Sequence, residues 1–352
     1  MKPVERNSAR LCRFLVSLPL KASLNAFISI MQMRRAMGLG ALILLTSTNF
    51  ARGQAWVLPA GDGSVSFTYQ EIDNTGHRVT DGRTLPIATS FDMSLYLEAE
   101  YAFTNRFSIM AGVPYVFAKY TDSNPPPAPV PFLPVDQCHC WHSGLQDVGA
   151  TARYNLANDS FGLTPFISFG APSQNYNFRG ESALGNGLRE LRIGVDAGRQ
   201  FRAIGRNLAI QGRYSYAFVE KVLGISLNRS NARGQLSYAV KRRLSVVGQF
   251  YWQRTHGGLR LGSPPPADLA FPGEVNTPDL WYQHDRLLRD NYWRAGGGVN
   301  YSVRQIDLFA SYTAFVSGSD THAGRAVTIG FAVPFRLSAS GHSSLGNKPL
   351  VR

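Results

Sequence analysis

The chain has 352 residues and a formal net charge of +13, with a mean hydropathy of -0.14; the length allows one large barrel or two ordinary domains. The charge is unevenly placed: residues 1–55 hold eight Lys/Arg and one acid, and three more basic residues follow Phe335, so 56–335 carries 25 basic against 22 acidic side chains, about +3. A stretch so near neutral, without a basic helix or stripe, excludes a nucleic-acid partner.

No apolar run reaches the ~18–20 residues that a transmembrane helix needs. The longest, Ala36–Leu45, lies behind Arg34-Arg35 and ahead of the small residues Ala51, Gly53 and Ala55. A basic flank, a short apolar core and a small-residue cleavage site describe a secretory signal peptide over 33–55. Cleavage after Gly53 or Ala55 leaves a mature chain beginning at Gln54 or Trp56. Met33 is a natural start for that peptide, so Met1–Gln32 reads as an over-extended N-terminus.

From residue 56 onward apolar side chains recur at every second position. In 91–103 they are Phe91, Met93, Leu95, Leu97, Ala99, Tyr101 and Phe103, and in 107–117 they are Phe107, Ile109, Ala111, Val113, Tyr115 and Phe117. Alternation over ten or more residues marks strand, because successive strand side chains point to opposite faces. The pattern predicts twelve strands near 63–72, 91–103, 106–119, 145–156, 161–171, 188–200, 207–219, 229–240, 244–254, 290–303, 306–317 and 324–335. Their lengths suit a tilted strand crossing a bilayer.

The connections form a second pattern. After even-numbered strands they are short, as at Thr104-Asn105 and Arg304-Gln305; after odd-numbered strands they are mostly longer, at 73–90, 120–144, 172–187, 220–228, 255–289 and 318–323. Such alternation is expected of an outer-membrane barrel with short periplasmic turns and longer external loops, and an even strand count puts both termini on the periplasmic side. Pro125-Pro126-Pro127 and Pro264-Pro265-Pro266 fall in the two longest loops, where proline breaks no ladder.

The face opposite the apolar stripe carries Asp92, Glu98, Glu100, Asp147, Arg153, Glu190, Arg192, Asp196, Arg213, Arg233, Arg294 and Asp307. These charges would be costly in hydrocarbon, where an arginine at the midplane costs ~2–4 kcal/mol, and a small dry core would not hold so many. A wet lumen accommodates them, which turns the apolar stripe toward lipid. Phe103, Phe107, Tyr154, Phe161, Phe201, Tyr238, Tyr301 and Phe335 sit near the short-turn ends, and Phe117, Phe169, Phe218, Trp252 and Trp293 near the long-loop ends. Two rings of aromatics are the girdles of such a barrel. A soluble β-sandwich, whose strands also favour aromatics, is the competing reading.

Gly63–Tyr69 as a first strand, and Ser143-Gly-Leu-Gln-Asp-Val-Gly149 leading into Ala152-Arg-Tyr154, resemble the family of outer-membrane proteins named for the meta-pathway of phenol degradation. The likeness covers most of 60–335. It implies a transporter-like barrel passing small compounds, aromatic or hydrophobic ones among them. Barrels of this kind commonly end on an aromatic residue read by the assembly machinery. Phe335 fits that role, but Arg336–Arg352 follows it, a Ser/Gly/Lys/Arg-rich stretch expected to be a disordered periplasmic tail.

Among groups that carry chemistry, Cys138, His139, Cys140 and His142 form the densest set of donors. They could hold a soft metal, but their spacing matches no common structural zinc site, and a local disulfide or plain loop thiols are the alternatives. No cofactor is expected. The lumen charges are the candidates for a constriction that sets ion selectivity, with neutralisation of a narrow lumen as the alternative role. Partners follow from the architecture: outer-membrane lipid, the assembly machinery and a small solute. A lipid hydrolase would need a serine and a histidine together near the lipid-facing surface; the histidines at 77, 139, 142, 256, 284 and 322 all read as loop residues, and no Gly-x-Ser-x-Gly elbow occurs. A structural or adhesion barrel is not separable from a channel by sequence.

Overall fold

A computed structural model describes residues 54–86, 89–122, 135–201, 208–260 and 283–337. The N-terminal extension, the expected signal peptide up to Gly53, both polyproline runs and nearly all of the expected tail lie outside the described residues.

Twelve long antiparallel staves close into a barrel. In chain order they are β1 (Asp62–Arg78), β3 (Ser90–Ala102), β4 (Phe107–Tyr120), the split stave β5 (His142–Leu145) and β6 (Asp147–Tyr154), β8 (Phe161–Pro172), β9 (Glu190–Phe201), β10 (Leu208–Val219), β11 (Arg229–Lys241), β12 (Leu244–Thr255), β13 (Asn291–Val303), β14 (Ile306–Ser319) and β15 (Thr321–Arg336). Two-residue strands β2 (Thr84–Leu85) and β7 (Ala157–Asn158) edge β1 and β8. Each stave pairs with its sequence neighbours, and β15 returns to β1 in register from Asp62↔Arg336 to Arg78↔Thr321. Closure leaves no open sheet edge, the condition for crossing hydrocarbon with strands.

The alternation decides which face points where. Leu97, Ile167, Ile193, Leu236, Ile329 and Phe331 are exposed on the outer surface, whereas Thr164, Asp196 and Ser215, on inward positions of their strands, are almost wholly buried. Phe103, Tyr154, Phe161, Tyr238 and Tyr301 are exposed toward the turn end, and Phe169, Phe218 and Trp293 toward the loop end.

The strands differ from the sequence expectation in three informative places. The stave near 145–156 is interrupted at Gln146, whose N–H donates to the carbonyl of Pro114 (3.0 Å); that proline, inside β4, has no N–H to return. The expected loop 318–323 reduces to Asp320, at a φ of 57°, whose buried carboxylate accepts from the Thr80 hydroxyl (2.5 Å) and from Ser319 (3.2 Å). β1 runs to Arg78 because a bulge between Asn74 and Gly76 lets pairing with β15 continue. The bulge shifts the side-chain alternation by one, so His77 turns inward opposite His322.

Candidate functional site

The bore is the candidate site, and its charges form pairs. Toward the turn end, Arg153 reaches Glu100 (2.6 Å), which also accepts from the Ser108 hydroxyl (2.7 Å). Arg213 forks onto Asp196, Nε to Oδ1 at 2.5 Å and Nη2 to Oδ2 at 2.6 Å, with its guanidinium 4.3 Å from the centre of the Phe166 ring. Arg153 also lies 3.9 Å from Asp196, so Glu100, Arg153, Asp196 and Arg213 form one network. A two-point fork on a fully buried carboxylate is a strong form of ion pair, and removing one partner of such a pair is costly. Arg233 stands directly across the ladder from Arg213; among the described residues it has no ion-pair partner. Tyr96 donates to Glu98 (3.2 Å), and Ser302 donates to Asp307 (2.6 Å) near the turn end.

Toward the loop end, Glu190 accepts from both Arg192 and Arg229. Arg229 was absent from the sequence-based lumen set, because at a strand's first residue alternation does not fix a face. Asp92 accepts from Asn74 Nδ2 (3.2 Å), Asp147 accepts from Tyr176, and Arg294 lies 4.8 Å from the centre of the Tyr292 ring. Of the twelve lumen candidates, six (Glu100, Arg153, Glu190, Arg192, Asp196 and Arg213) are ion-paired within one of the two networks. The other six, Asp92, Glu98, Asp147, Arg233, Arg294 and Asp307, have no ion pair among the described residues.

Toward the turn end the bore is occupied by residues 54–57. Ala55, Trp56 and Val57 are buried, at 0%, 5% and 0% exposure. The Ala55 carbonyl accepts from the Thr164 hydroxyl (2.8 Å) and Asn155 Nδ2 (3.4 Å), the Trp56 indole donates to the Asp159 carbonyl (2.9 Å), and Arg153 donates to the carbonyls of Gln54 and Trp56. Two inward glycines make room. A Cβ at Gly162 would stand 2.5 Å from the Ala55 oxygen, and one at Gly198 would stand 2.7 Å from the Ala55 Cβ and 2.8 Å from the Trp56 ring.

The loop end is roofed by 173–189, the connection between β8 and β9. Tyr176 and Leu184 pack inward on Val116 and Ala118. The Tyr176 hydroxyl donates to Asp147 and accepts from the Gly187 N–H (2.7 Å). Asp136 fixes the loop's middle, accepting from the backbone N–H groups of Glu181 (2.9 Å) and Ser182 (3.1 Å) and from the Ser182 hydroxyl (2.6 Å). A short helix α1 (His284–Leu287) seats Leu287 in an apolar cluster with Leu188, Ala217, Val219, Val222 and Leu227. Its Arg286 donates to the Gly187 carbonyl (3.2 Å) and covers the Phe178 ring. Burial pushes the Tyr176 phenol up, as does its bond to Asp147; it pushes the Asp136 carboxyl up against its hydrogen-bond donors and the Arg286 guanidinium down against nearby acids. Beneath the roof lies a cavity of about 250 Å³ whose lining includes Phe178, Arg229, Asp290, Arg294 and His322. The connections 120–144 and 255–289 contribute Asp136 and α1 to this roof; the signal of 173–189 in the sequence is only Tyr176, Phe178, Leu184 and Leu188 spread among polar and glycine residues.

Three of the histidines expected in loops lie on strands: His77 on β1, His142 on β5 and His322 on β15. Cys138 and Cys140 are joined by a disulfide, which removes two thiolates from that donor set, and His142 Nε2 lies 2.5 Å from the Val135 carbonyl. A second donor group at the loop-end mouth unites His77, Glu181, Asp285 and His322. Near the loop end of β11, Ser230 Oγ lies 2.8 Å from His256 Nε2 and accepts from the Tyr214 hydroxyl (3.2 Å). A serine–histidine pair is therefore present next to outward-facing aromatics, which alternation alone did not foresee because His256 lies one residue past β12.

No family model and no curated relative matches the chain. Among solved structures, an outer membrane channel from Pseudomonas putida F1 is similar over 80% of this chain and 98% of its own, at 13% identity and a TM-score of 0.60. The NanC porin is similar over 77% and 98% at 10% identity and a TM-score of 0.43. The translocator domain of autotransporter NalP from Neisseria meningitidis is similar over 89% and 98% at 13% identity and a TM-score of 0.42; at these scores the last two add nothing to the assignment. Twelve closed antiparallel strands, an apolar outer wall and the similarity to the Pseudomonas channel together give this chain the fold of an outer-membrane β-barrel.

Proposed function

We propose that the protein is an outer-membrane channel for passive uptake of small solutes, in a state closed at both ends, with the start of the mature chain as a gate at the periplasmic turn end. The observation that carries this reading is the inner wall. Two charge networks and several acids and arginines without ion pairs line the bore, a composition that neither a dry core nor a purely structural barrel requires. Glu100, Arg153, Asp196 and Arg213 supply the constriction, and the charges without ion pairs, Arg233 and Arg294 among them, supply the field a charged solute meets. The resemblance to the phenol meta-pathway family supports small aromatic or hydrophobic compounds as cargo. Planar-bilayer recording with a solute panel is the test. Defined conductance steps, with flux inhibited by a permeant solute, are the expected result. A barrel that inserts and never conducts, even without its N-terminal segment, would favour a structural role.

One observation favours a second reading, a lipid hydrolase: the Ser230–His256 contact near the outer-leaflet interface. A working serine–histidine pair also needs a group orienting the imidazole's other nitrogen, and among the described residues none does so. Purified protein is therefore expected to leave ester substrates intact. Hydrolysis lost in Ser230→Ala would replace the channel reading.

A further inference from the structure

Four side chains from four separate parts of the chain converge at the loop-end mouth of the bore: His77 from β1, Glu181 from the roof loop 173–189, Asp285 from α1 and His322 from β15. One ligand atom of each lies within 4.8 Å of every other. Three are closer still. The Nε2 atoms of His77 and His322 are 2.8 Å apart, and Glu181 Oε2 is 2.6 Å from His322 Nε2 and 3.3 Å from His77 Nε2. Zinc bonds nitrogen and carboxylate oxygen at about 2.0–2.2 Å, which in a tetrahedron sets neighbouring ligand atoms about 3.3 Å apart. Small rotations of side chains already aimed at one point bring three of these atoms to that spacing.

We propose that His77, Glu181, Asp285 and His322 form a divalent-cation site of the zinc type, and that the bound ion clamps the roof loop and α1 onto the barrel rim. The donor chemistry suits the ion. Two imidazoles and two carboxylates are borderline and hard ligands that zinc accepts together, and two carboxylates with two neutral imidazoles sum to −2, which a divalent cation neutralises. Three of the four ligands are shielded from water: the side chains of His77 and Glu181 are 7% and 4% exposed and both carboxylate oxygens of Asp285 are buried, while His322, at 23%, keeps a path to the mouth.

Each ligand is positioned by a feature of its own segment. The β1 bulge aims His77 inward. Asp136 binds the N–H groups of Glu181 and Ser182 and so fixes where Glu181 points. Leu287, buried in its apolar cluster, seats the helix that carries Asp285. Thr321, beside His322, donates to Asp290. The wall supplies two ligands and the roof supplies two, so an ion between them joins wall to roof. The rival donor set cannot take this role, since its cysteines are spent in a disulfide.

The test uses the folded, detergent-solubilised barrel and zinc itself. After dialysis against micromolar zinc, one zinc per chain is expected by elemental analysis, and cobalt in its place should give the visible absorption of a tetrahedral site. Zinc should slow tryptic cleavage at Arg179 within the roof loop, and EDTA should restore it. In His77→Ala/His322→Ala both effects should vanish, while Cys138→Ser/Cys140→Ser/His142→Ala should keep them. Should the double histidine variant lose the heat-modifiable mobility of a folded barrel, Glu181→Gln and Asp285→Asn leave the strands untouched. Each should weaken zinc binding by more than about 100-fold, since loss of an outer-shell partner alone costs about 10–100-fold. A wild-type barrel that stays zinc-free, or histidine variants that retain zinc, would overturn the site. Zinc bound without protection of Arg179 would overturn the clamp. None of these readouts depends on conductance, so failure here is separable from failure of the channel reading.

Discussion

The two ends of the bore are closed by different chemistry. At the turn end residues 54–57 lie against Gly162 and Gly198, held mainly through their own carbonyl groups. At the loop end a roof of side chains does the closing, through Tyr176 on Asp147, Arg286 on Phe178 and the carboxylates and imidazoles around His322. Backbone carbonyls carry no titratable charge, so apart from its Arg153 contacts the first closure offers salt, pH and metal ions little to act on. The second is made of groups that respond to all three. On the channel reading, the turn end would be a constitutive stop and the loop end an adjustable one.

The largest effect should come from removing the stop. Deleting residues 54–57 is expected to raise single-channel conductance several-fold, in planar bilayers and at both low and high salt. If the expected signal peptide is removed, cleavage after Gly53 would keep Ala55 in the bore and cleavage after Ala55 would remove it, and N-terminal sequencing of the protein from outer membranes distinguishes the two. Unchanged conductance in the deletion would mean that the segment lies outside the conducting path.

Next in size is the network where the stop meets the charged wall. Arg213→Gln leaves the Asp196 carboxylate, at 0% exposure, without its fork, and loss of one partner of a buried pair costs about 3–5 kcal/mol. Denaturant titration in detergent should register that loss. Arg213→Glu should in addition move the reversal potential toward cation selectivity in a salt gradient. An unmoved reversal potential would place Arg213 away from the ion path.

Leu287→Ala tests the adjustable end. The side chain is fully buried in the cluster beneath the roof, and truncating such a leucine costs about 2–5 kcal/mol. That cost should fall on the roof and spare the staves: tryptic cleavage at Arg179 accelerates while the heat-modifiable mobility of the barrel is unchanged. Equal loss in both would show that roof and wall unfold as one unit.

These sites differ in how visible they are before folding. The barrel is legible because its rule is local: Val327, Ile329, Phe331 and Val333 face lipid on a period of two, and each strand repeats the rule without reference to any other. The same rule puts Asp196, Arg213 and Arg153 inside. It does not say that Asp196 takes Arg213 as a fork, since that depends on the register between β9 and β10. The stop at the turn end was hidden for another reason. Ala55 and Trp56 read as the edge of a cleavage site, and only the glycines at 162 and 198, more than a hundred residues on, reveal where they pack. The mouth of the bore was the least legible part. His77 faces inward because of one bulge residue, and its neighbours Glu181, Asp285 and His322 come from segments with no shared pattern.

The smallest expected effect concerns the other loop-end staple. The Cys138–Cys140 disulfide spans a sequence separation of 2, and in the chain-entropy description so short a loop stabilises by about 1–2 kcal/mol. That gain is confined to the segment leading into β5, where His142 meets the Val135 carbonyl. Cys138→Ser/Cys140→Ser should therefore leave the thermal unfolding of the barrel unmoved while loosening that segment in hydrogen exchange. A barrel midpoint that falls with the disulfide would mean that the loop-end roof depends on covalent anchoring as well as on its polar contacts. The two closures would then differ less than their contacts indicate.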